Sequence, residues 1–104
     1  MQIFATNLST VPIINLALNY INSLGAPTSE TVNLPAKPSG SSMASMVTAS
    51  QPASLFTSII ITLGGTPYTV PFGQSLPSGL GVQVEWSQDP DAAIVIITED
   101  GMGS

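Results

Sequence analysis

An alternating, mostly β-branched run over residues 55–63 constrains the fold of this chain more than any other stretch. Its odd positions are apolar except for Thr57, while its even positions mix polar and apolar residues. An apolar residue at every second position is typical of a strand with one face in a core. β-Branched side chains favour the same conformation. The run therefore predicts a strand that points Ile59, Ile61 and Leu63 inward.

Two glycines, Gly64 and Gly65, follow this run and indicate a hairpin. Both accept the positive φ of a type I′ turn, which matches the twist of the strands that it joins. The return strand over residues 66–72 carries Pro67 and Pro71. Because proline cannot donate to a hydrogen-bond ladder, we expect this strand to lie at a sheet edge.

A second hairpin is predicted towards the end of the chain. Residues 82–86 alternate cleanly, residues 87–91 have turn chemistry, and residues 92–98 are apolar on both faces, as in a central strand. The alternation on the three runs predicts the following core: Ile59, Ile61, Leu63, Val82, Val84, Trp86, Ile94 and Ile96.

Residues 10–24 show apolar positions at helical spacing. Thr10 would cap this helix, Pro12 would lie in its first turn, and Gly25 followed by Pro27 would end it. The sequence thus predicts an amphipathic helix. Its polar face would consist of asparagines, which are poor helix formers. Because the polar side of this helix would carry no charge, it suggests a protein contact.

A strand remains an alternative for the same segment, because Leu16, Leu18 and Tyr20 also alternate with Asn15, Ala17 and Asn19. Period two and period 3.6 both describe this pattern, and the sequence alone does not separate them.

Residues 26–53 are rich in proline, serine, alanine and threonine and show no sustained period. A connection of this length is uncommon inside a compact domain. We expect an irregular arm that either contacts a neighbouring molecule or forms a surface loop. A short strand is expected over residues 1–9 and a flexible tail over residues 100–104.

These elements predict a single domain over residues 1–104 with its β core in residues 54–99. The fold class is mainly β: a small antiparallel sandwich or sheet of about four to six strands, with one N-terminal helix.

Charge is scarce, at 7% of the residues, against an average near ~25% in soluble proteins. Lys37 is the single base in a chain of net charge −5. Nucleic-acid backbones are bound by several lysines or arginines, so direct nucleic-acid binding is not expected. No window approaches the ~18 to 20 apolar residues of a membrane span.

The chain also lacks histidine and cysteine. It therefore has no zinc site of the usual kind, no thiol nucleophile and no Ser-His triad. We expect no catalytic residue, no cofactor site and no metal site, and we expect that the protein is not an enzyme.

Acidic residues supply two candidate sites to weigh against this expectation. Asp89 and Asp91 flank Pro90 close to Glu85 and could form an oxygen-rich calcium site, although a turn explains them more simply. Glu85 and Glu99 would come near each other in the second hairpin and could act as the two carboxylates of a glycosidase. No aromatic platform accompanies them.

Aromatic residues supply a third candidate site. Trp86, Tyr68, Tyr20 and Phe72 could line a sugar-binding face. Trp86, however, shares its parity with Val82 and Val84, which favours an inward side chain.

Uncharged polar residues lose less on burial than charged ones, so a charge-poor surface suits contacts between subunits. The leading hypothesis is a non-enzymatic structural subunit: a minor capsid, decoration or fibre protein of a virion, or a component of a surface layer or filament. Its partners would be other copies of itself or a major structural protein, in a virion or an extracellular surface assembly. The alternative is an extracellular adhesin-like or carbohydrate-binding β-sandwich.

Overall fold

A computed structural model describes residues 1–37 and 44–99 of the chain, and these residues form eight strands and no helix. The strands are β1 (Gln2–Asn7), β2 (Ile13–Asn22), β3 (Pro27–Leu34), β4 (Ser45–Thr48), β5 (Ala53–Leu63), β6 (Thr66–Pro71), β7 (Val82–Asp89) and β8 (Ala92–Glu99). The mainly β fold class is thus confirmed, with more strands than the sequence predicted.

The strands form two sheets of four strands each, which pack as a β-sandwich. Sheet A has the order β4-β1-β8-β7, and sheet B has the order β3-β2-β5-β6. Inward side chains from both sheets form one core. Its largest fully buried members are Tyr20, Phe56, Ile3, Ile13, Leu16, Leu18, Leu34, Ile59, Ile61, Ile97, Val70 and Val82.

The centre of sheet A departs from the antiparallel pattern. The N-terminal strand β1 lies beside the last strand β8 and runs parallel to it, with Gln2 opposite Ala92 and Asn7 opposite Ile97. All the other strand pairs of the described residues are antiparallel. The strand expected over residues 1–9 is therefore present, and it joins the two ends of the described chain within one sheet.

The glycine hairpin is confirmed. Leu63 pairs with Thr66 across the turn, and Gly64 and Gly65 have φ values of 59° and 83°, the left-handed region that a type I′ turn requires. The expected edge position of β6 is also confirmed, because β6 is the last strand of sheet B.

The helix predicted over residues 10–24 is wrong. This segment contains β2, a central strand that buries Leu16, Leu18 and Tyr20, as the alternative interpretation expected. Pairing with β3 and β5 supplies backbone partners on both sides. Asn15 adopts a φ of 60° at a bulge, a conformation that asparagine tolerates better than most residues.

The irregular arm expected over residues 26–53 is largely a misassignment. Its described parts form β3 and β4, which are edge strands of the two sheets. The glycine- and serine-rich stretch over residues 38–42 and the tail over residues 100–104 lie outside the described residues.

The predicted core is correct for Ile59, Ile61, Val82 and Val84, which are buried. Leu63 and Trp86 are partly buried and pack against the core. The assignment of Ile94 and Ile96 to the core is wrong, because β8 points Ala93, Val95 and Ile97 inward instead. With both parities of β8 apolar, alternation could not identify its buried face.

Candidate interaction surface

The structure does not bring the acidic residues around the turn between β7 and β8 together with Glu85. Asp89 pairs with Ala92, so Pro90 and Asp91 form the hairpin turn, and both aspartates are exposed. Glu85 lies four residues before Asp89 on one strand, a separation of about 13 Å at the usual rise. The described residues contain no group of three or more acidic side chains placed to hold a metal ion.

Glu85 and Glu99 lie on opposite faces of the second hairpin. Glu85 lies opposite Ile96 on the outer face of sheet A, whereas Glu99 lies opposite Val82 and has the inward parity at the end of the sheet. Glu99 instead accepts hydrogen bonds from Thr10, at 2.8 Å from its backbone N–H and 2.7 Å from its hydroxyl. These bonds favour the carboxylate and lower the pKa of Glu99.

The four aromatic residues do not line one exposed face. Tyr20 is buried with 1% of its surface exposed, and Tyr68 packs against the core from β6. Phe72 and Trp86 form a cluster with the buried Phe56, with ring centroids 4.8 to 6.0 Å apart. The rings therefore serve mainly to close the side of the sandwich between β6 and β7.

Trp86 nevertheless borders an open depression of about 550 Å³. Its indole Nε1 donates to the carbonyl of Gln74 at 2.7 Å, which fixes the loop over residues 73–75 beside β7. Glu85 and Ile96 also line this depression. It thus combines an aromatic ring, a carboxylate and an apolar side chain at one site.

The most distinctive surface is the outer face of sheet B, which we call the uncharged face. Along each strand of this sheet the outward residues alternate with buried or half-buried ones. Its members are Ala17, Asn19, Ile21, Pro27, Ser29, Thr31, Asn33, Leu55, Ser58, Ile60, Thr62, Pro67, Thr69 and Pro71. No charged residue occurs on this face of the four strands, all of which lie in the described chain.

The uncharged face is organised in cross-strand rows. One row runs through Thr31, Ala17, Ile60 and Thr69, and the adjacent row contains Asn19 beside Ser58. The side-chain amide of Asn19 donates to the hydroxyl of Ser58 at 3.2 Å. This hydrogen bond holds the two polar side chains in place across neighbouring strands. The surface therefore presents aliphatic groups beside ordered hydroxyl and amide groups.

Glu30 is the one acid on the strands of sheet B, and its parity turns it away from the uncharged face. Its carboxylate accepts hydrogen bonds from the backbone N–H of Ser50 at 2.8 Å, the hydroxyl of Ser50 at 2.5 Å and the hydroxyl of Tyr20 at 3.4 Å. Burial, together with the nearby carboxylate of Glu30, raises the pKa of Tyr20. The charge is thus held between the edge strand β3 and the segment after β4.

Sequence reasoning did not identify this face. A signal was present in the odd-numbered residues of β3 and β6, which are uniformly serine, threonine, asparagine or proline. Recognising the face required knowing that these edge strands flank β2 and β5.

No protein-family model, curated protein or solved structure matches this chain. The described residues contain no helix of the length and apolarity needed to cross a membrane.

Proposed function

We propose that this protein is a non-enzymatic structural subunit of a protein assembly, a small virion component such as a minor capsid, decoration or fibre protein, or a component of a surface layer or filament. The uncharged face of sheet B carries the proposal and is the surface through which the subunit contacts its neighbours. The partner is another copy of the chain or a major structural protein.

Desolvation energetics support this use of the face. Burying an ion without a partner costs far more than burying a hydroxyl or amide, and the uncharged face contains only neutral groups. The cores of protein interfaces are likewise depleted of charged residues. Aliphatic residues such as Ile60 and Leu55 would contribute apolar area to the contact, and Leu55 has 54% of its surface exposed.

The size of the face suggests repeated contacts rather than one tight pair. Four strands at their usual spacing and about six residues per strand give roughly 400 Å² in projection. A stable two-protein interface buries roughly 800 Å² on each partner. One such face alone would bind weakly, whereas many weak contacts in a lattice reinforce one another.

A pair of matched lysine substitutions tests the proposal. Ile60→Lys places a charge at the centre of the uncharged face, and Ile94→Lys places one at the centre of the opposite face of the sandwich. Both isoleucines are half-buried on outward positions of central strands. Static light scattering over a concentration series should show that Ile60→Lys weakens association at least about tenfold, since a buried unpaired charge is costly.

Ile94→Lys should associate like the unchanged protein. The proposal is contradicted if the unchanged chain stays monomeric at millimolar concentration, or if Ile60→Lys associates as well as Ile94→Lys. Circular dichroism of both variants checks that each one is folded.

The depression beside Trp86 supports the second candidate function, a carbohydrate-binding module. An indole edge, the carboxylate of Glu85 and a loop carbonyl are groups that bind sugars through apolar contacts and hydrogen bonds. Titration of neutral oligosaccharides, observed by the fluorescence of the single tryptophan, would detect binding. Loss of the signal in Glu85→Gln would favour this function over assembly, and an unchanged spectrum across the sugars would reject it.

A further inference from the structure

The four free edges of the two sheets differ in how they are protected from pairing with another chain. On β6, the two-residue turn makes Leu63 and Thr66 a hydrogen-bonded pair, so the even residues of β6 bond to β5. The odd positions then point their backbone groups to the free edge. Two of them are Pro67 and Pro71, which have no N–H to donate.

The edges of sheet A are protected by other means. On β7, the backbone N–H of Val84 donates to the side chain of Gln83 at 3.0 Å. Gln83 also bonds both backbone groups of Leu76, at 2.5 Å and 2.9 Å, which holds the preceding loop against this edge. The edge strand β4 is only four residues long. Short strands and covering loops are common ways to prevent edge pairing.

The free edge of β3 is open by comparison. Asn22 donates its N–H to the carbonyl of Ala26 at 2.9 Å, and this bond sets the alternation of the β2–β3 ladder. The even residues of β3 therefore bond to β2, and Ser29, Thr31 and Asn33 turn their backbone groups outward. All three are exposed. Within the described chain, no hydrogen bond from another segment reaches the outward backbone groups of Ser29 or Thr31.

We propose that the free edge of β3 pairs antiparallel with the same edge of a second copy of this chain, about a two-fold axis at Thr31. This inference rests on the proposed function and specifies an edge at which two subunits of the assembly meet. Pro27 and Pro35 lie at equal distances on either side of Thr31 and limit the pairing segment. A second copy is the occupant because pairing of this edge with itself about Thr31 sets Pro27 opposite Pro35 of the second copy, so that no proline interrupts the pairing between them.

The register follows from charge and backbone geometry. With the axis at Thr31, Ser29 lies opposite Asn33 of the second copy, and each such pair exchanges both of its backbone hydrogen bonds. Glu30 lies opposite Val32, whereas an axis at Glu30 would place two carboxylates face to face. The paired chains share one continuous sheet and join their uncharged faces into a surface of roughly 800 Å² in projection.

Two proline variants at equivalent edge positions test the pairing. Thr31→Pro removes the outward N–H at the axis, while Gln88→Pro does so on the β7 edge of sheet A, outside the uncharged face. Sedimentation velocity should show that Thr31→Pro raises the dimer dissociation constant at least about tenfold, since pairing bonds are lost. Gln88→Pro should dimerise as the unchanged chain does, and thermal melting reports whether each variant is folded.

Single cysteines give a test that needs no proline. The chain has no cysteine, so any disulfide comes from the introduced residue. Directly opposed residues of a hydrogen-bonded pair have Cα atoms about 5.5 Å apart, within the range that a disulfide spans. Thr31→Cys should therefore form a covalent dimer under mild oxidation, and Gln88→Cys should not.

The outcomes separate this inference from the proposed function. If the chain associates, Thr31→Pro leaves that association intact and Ile60→Lys weakens it, then the edge pairing is wrong and assembly through the uncharged face stands. Equal cross-linking of Thr31→Cys and Gln88→Cys also overturns the pairing. A chain that remains monomeric at millimolar concentration overturns both proposals.

Discussion

The two outer faces of the sandwich differ in charge although both belong to one charge-poor chain. The outer face of sheet A contains Phe4, Ile94 and Ile96, flanked on β7 by Glu85 and Asp89. The outer face of sheet B has no charged residue on any strand of the described chain. The few charged residues are thus not distributed evenly between the two faces.

The difference suggests which face stays in water. Carboxylates on the β7–β8 hairpin keep one side of the sandwich hydrated, and a hydrated side helps a charge-poor protein to remain dispersed. The opposite side presents neutral groups that are cheap to desolvate. Under the proposed function, sheet A would face solvent and sheet B would face the neighbouring subunit.

The largest expected effect is on the free energy of unfolding, and it distinguishes a substitution on the core side of sheet B from one on its outer side. Ile61 is fully buried, and its neighbour Ile60 is half-buried on the uncharged face. Ile61→Ala should reduce the free energy of unfolding by ~2 to 5 kcal/mol, because the substitution leaves a cavity. Ile60→Ala should cost about 1 kcal/mol or less. Urea denaturation measures both.

Equal losses for the two alanine variants would mean that both sides of β5 are buried. That result would contradict the assignment of Ile60 to an exposed face. The measurement is made at low protein concentration so that association does not contribute to the stability.

The contrast between strands that pair with a sequence neighbour and strands that pair with a distant segment explains which parts of the fold could be predicted from sequence. The hairpins β5–β6 and β7–β8 were predictable because their turns are local and their strands are rich in β-branched residues. Val82 and Val84 could be assigned to the buried face of β7 from sequence. The buried residues of β8 could not be assigned, because that strand is apolar on both sides. Local pattern therefore identified these strands better than it identified their faces.

Elements that depend on distant partners were not predictable. The asparagines of β2 recur at spacings that also fit a helix, and the strand is decided by pairing with β3 and β5. Edge strands such as β3 bury little and show no strong apolar period. The parallel pairing of β1 with β8 joins residues about ninety positions apart, and the Thr10–Glu99 contact depends on it.

A smaller effect is expected from Tyr20 at alkaline pH. Burial, aided by Glu30, raises the pKa of Tyr20, so folding favours the neutral phenol. The resulting stabilisation is fully present below the unfolded pKa near ~10 and is lost as pH rises through the folded value. Tyr20→Phe should cost about 1 kcal/mol at neutral pH through the lost hydrogen bond, and should flatten this alkaline dependence.

Urea denaturation between neutral and alkaline pH provides the measurement. Tyr68→Phe is the matched control, since it removes the other tyrosine hydroxyl and leaves the Tyr20–Glu30 contact in place. An alkaline dependence of the same slope in Tyr20→Phe and in the unchanged protein would contradict the assignment.

A weaker effect is expected from salt. Glu85, Asp89 and Asp91 are exposed on one hairpin and repel one another mildly. At about 0.1 M salt the Debye length falls to ~10 Å, so screening should raise the melting temperature slightly or leave it unchanged. Asp89→Asn should reduce that response, while Thr62→Ala on the uncharged face should not. A melting temperature that falls steeply with added salt would instead indicate stabilising ion pairs.

The smallest effect concerns the contact that links the charged hairpin to the segment leading into sheet B. Glu99 is exposed, yet both donors of Thr10 bond its carboxylate and lower its pKa. This contact stabilises the fold above the unfolded pKa near ~4.3 and is lost as pH falls through the lower folded value. Thr10→Val keeps the shape of the side chain and removes the hydroxyl donor.

Carboxyl titration by NMR should show the pKa of Glu99 rising towards its ordinary value in Thr10→Val, and only partly, because the backbone N–H of residue 10 remains a donor. Thr66→Val, at the distant β5–β6 turn, controls for loss of a threonine hydroxyl. An unchanged Glu99 pKa in Thr10→Val would show that the two segments are not joined in solution.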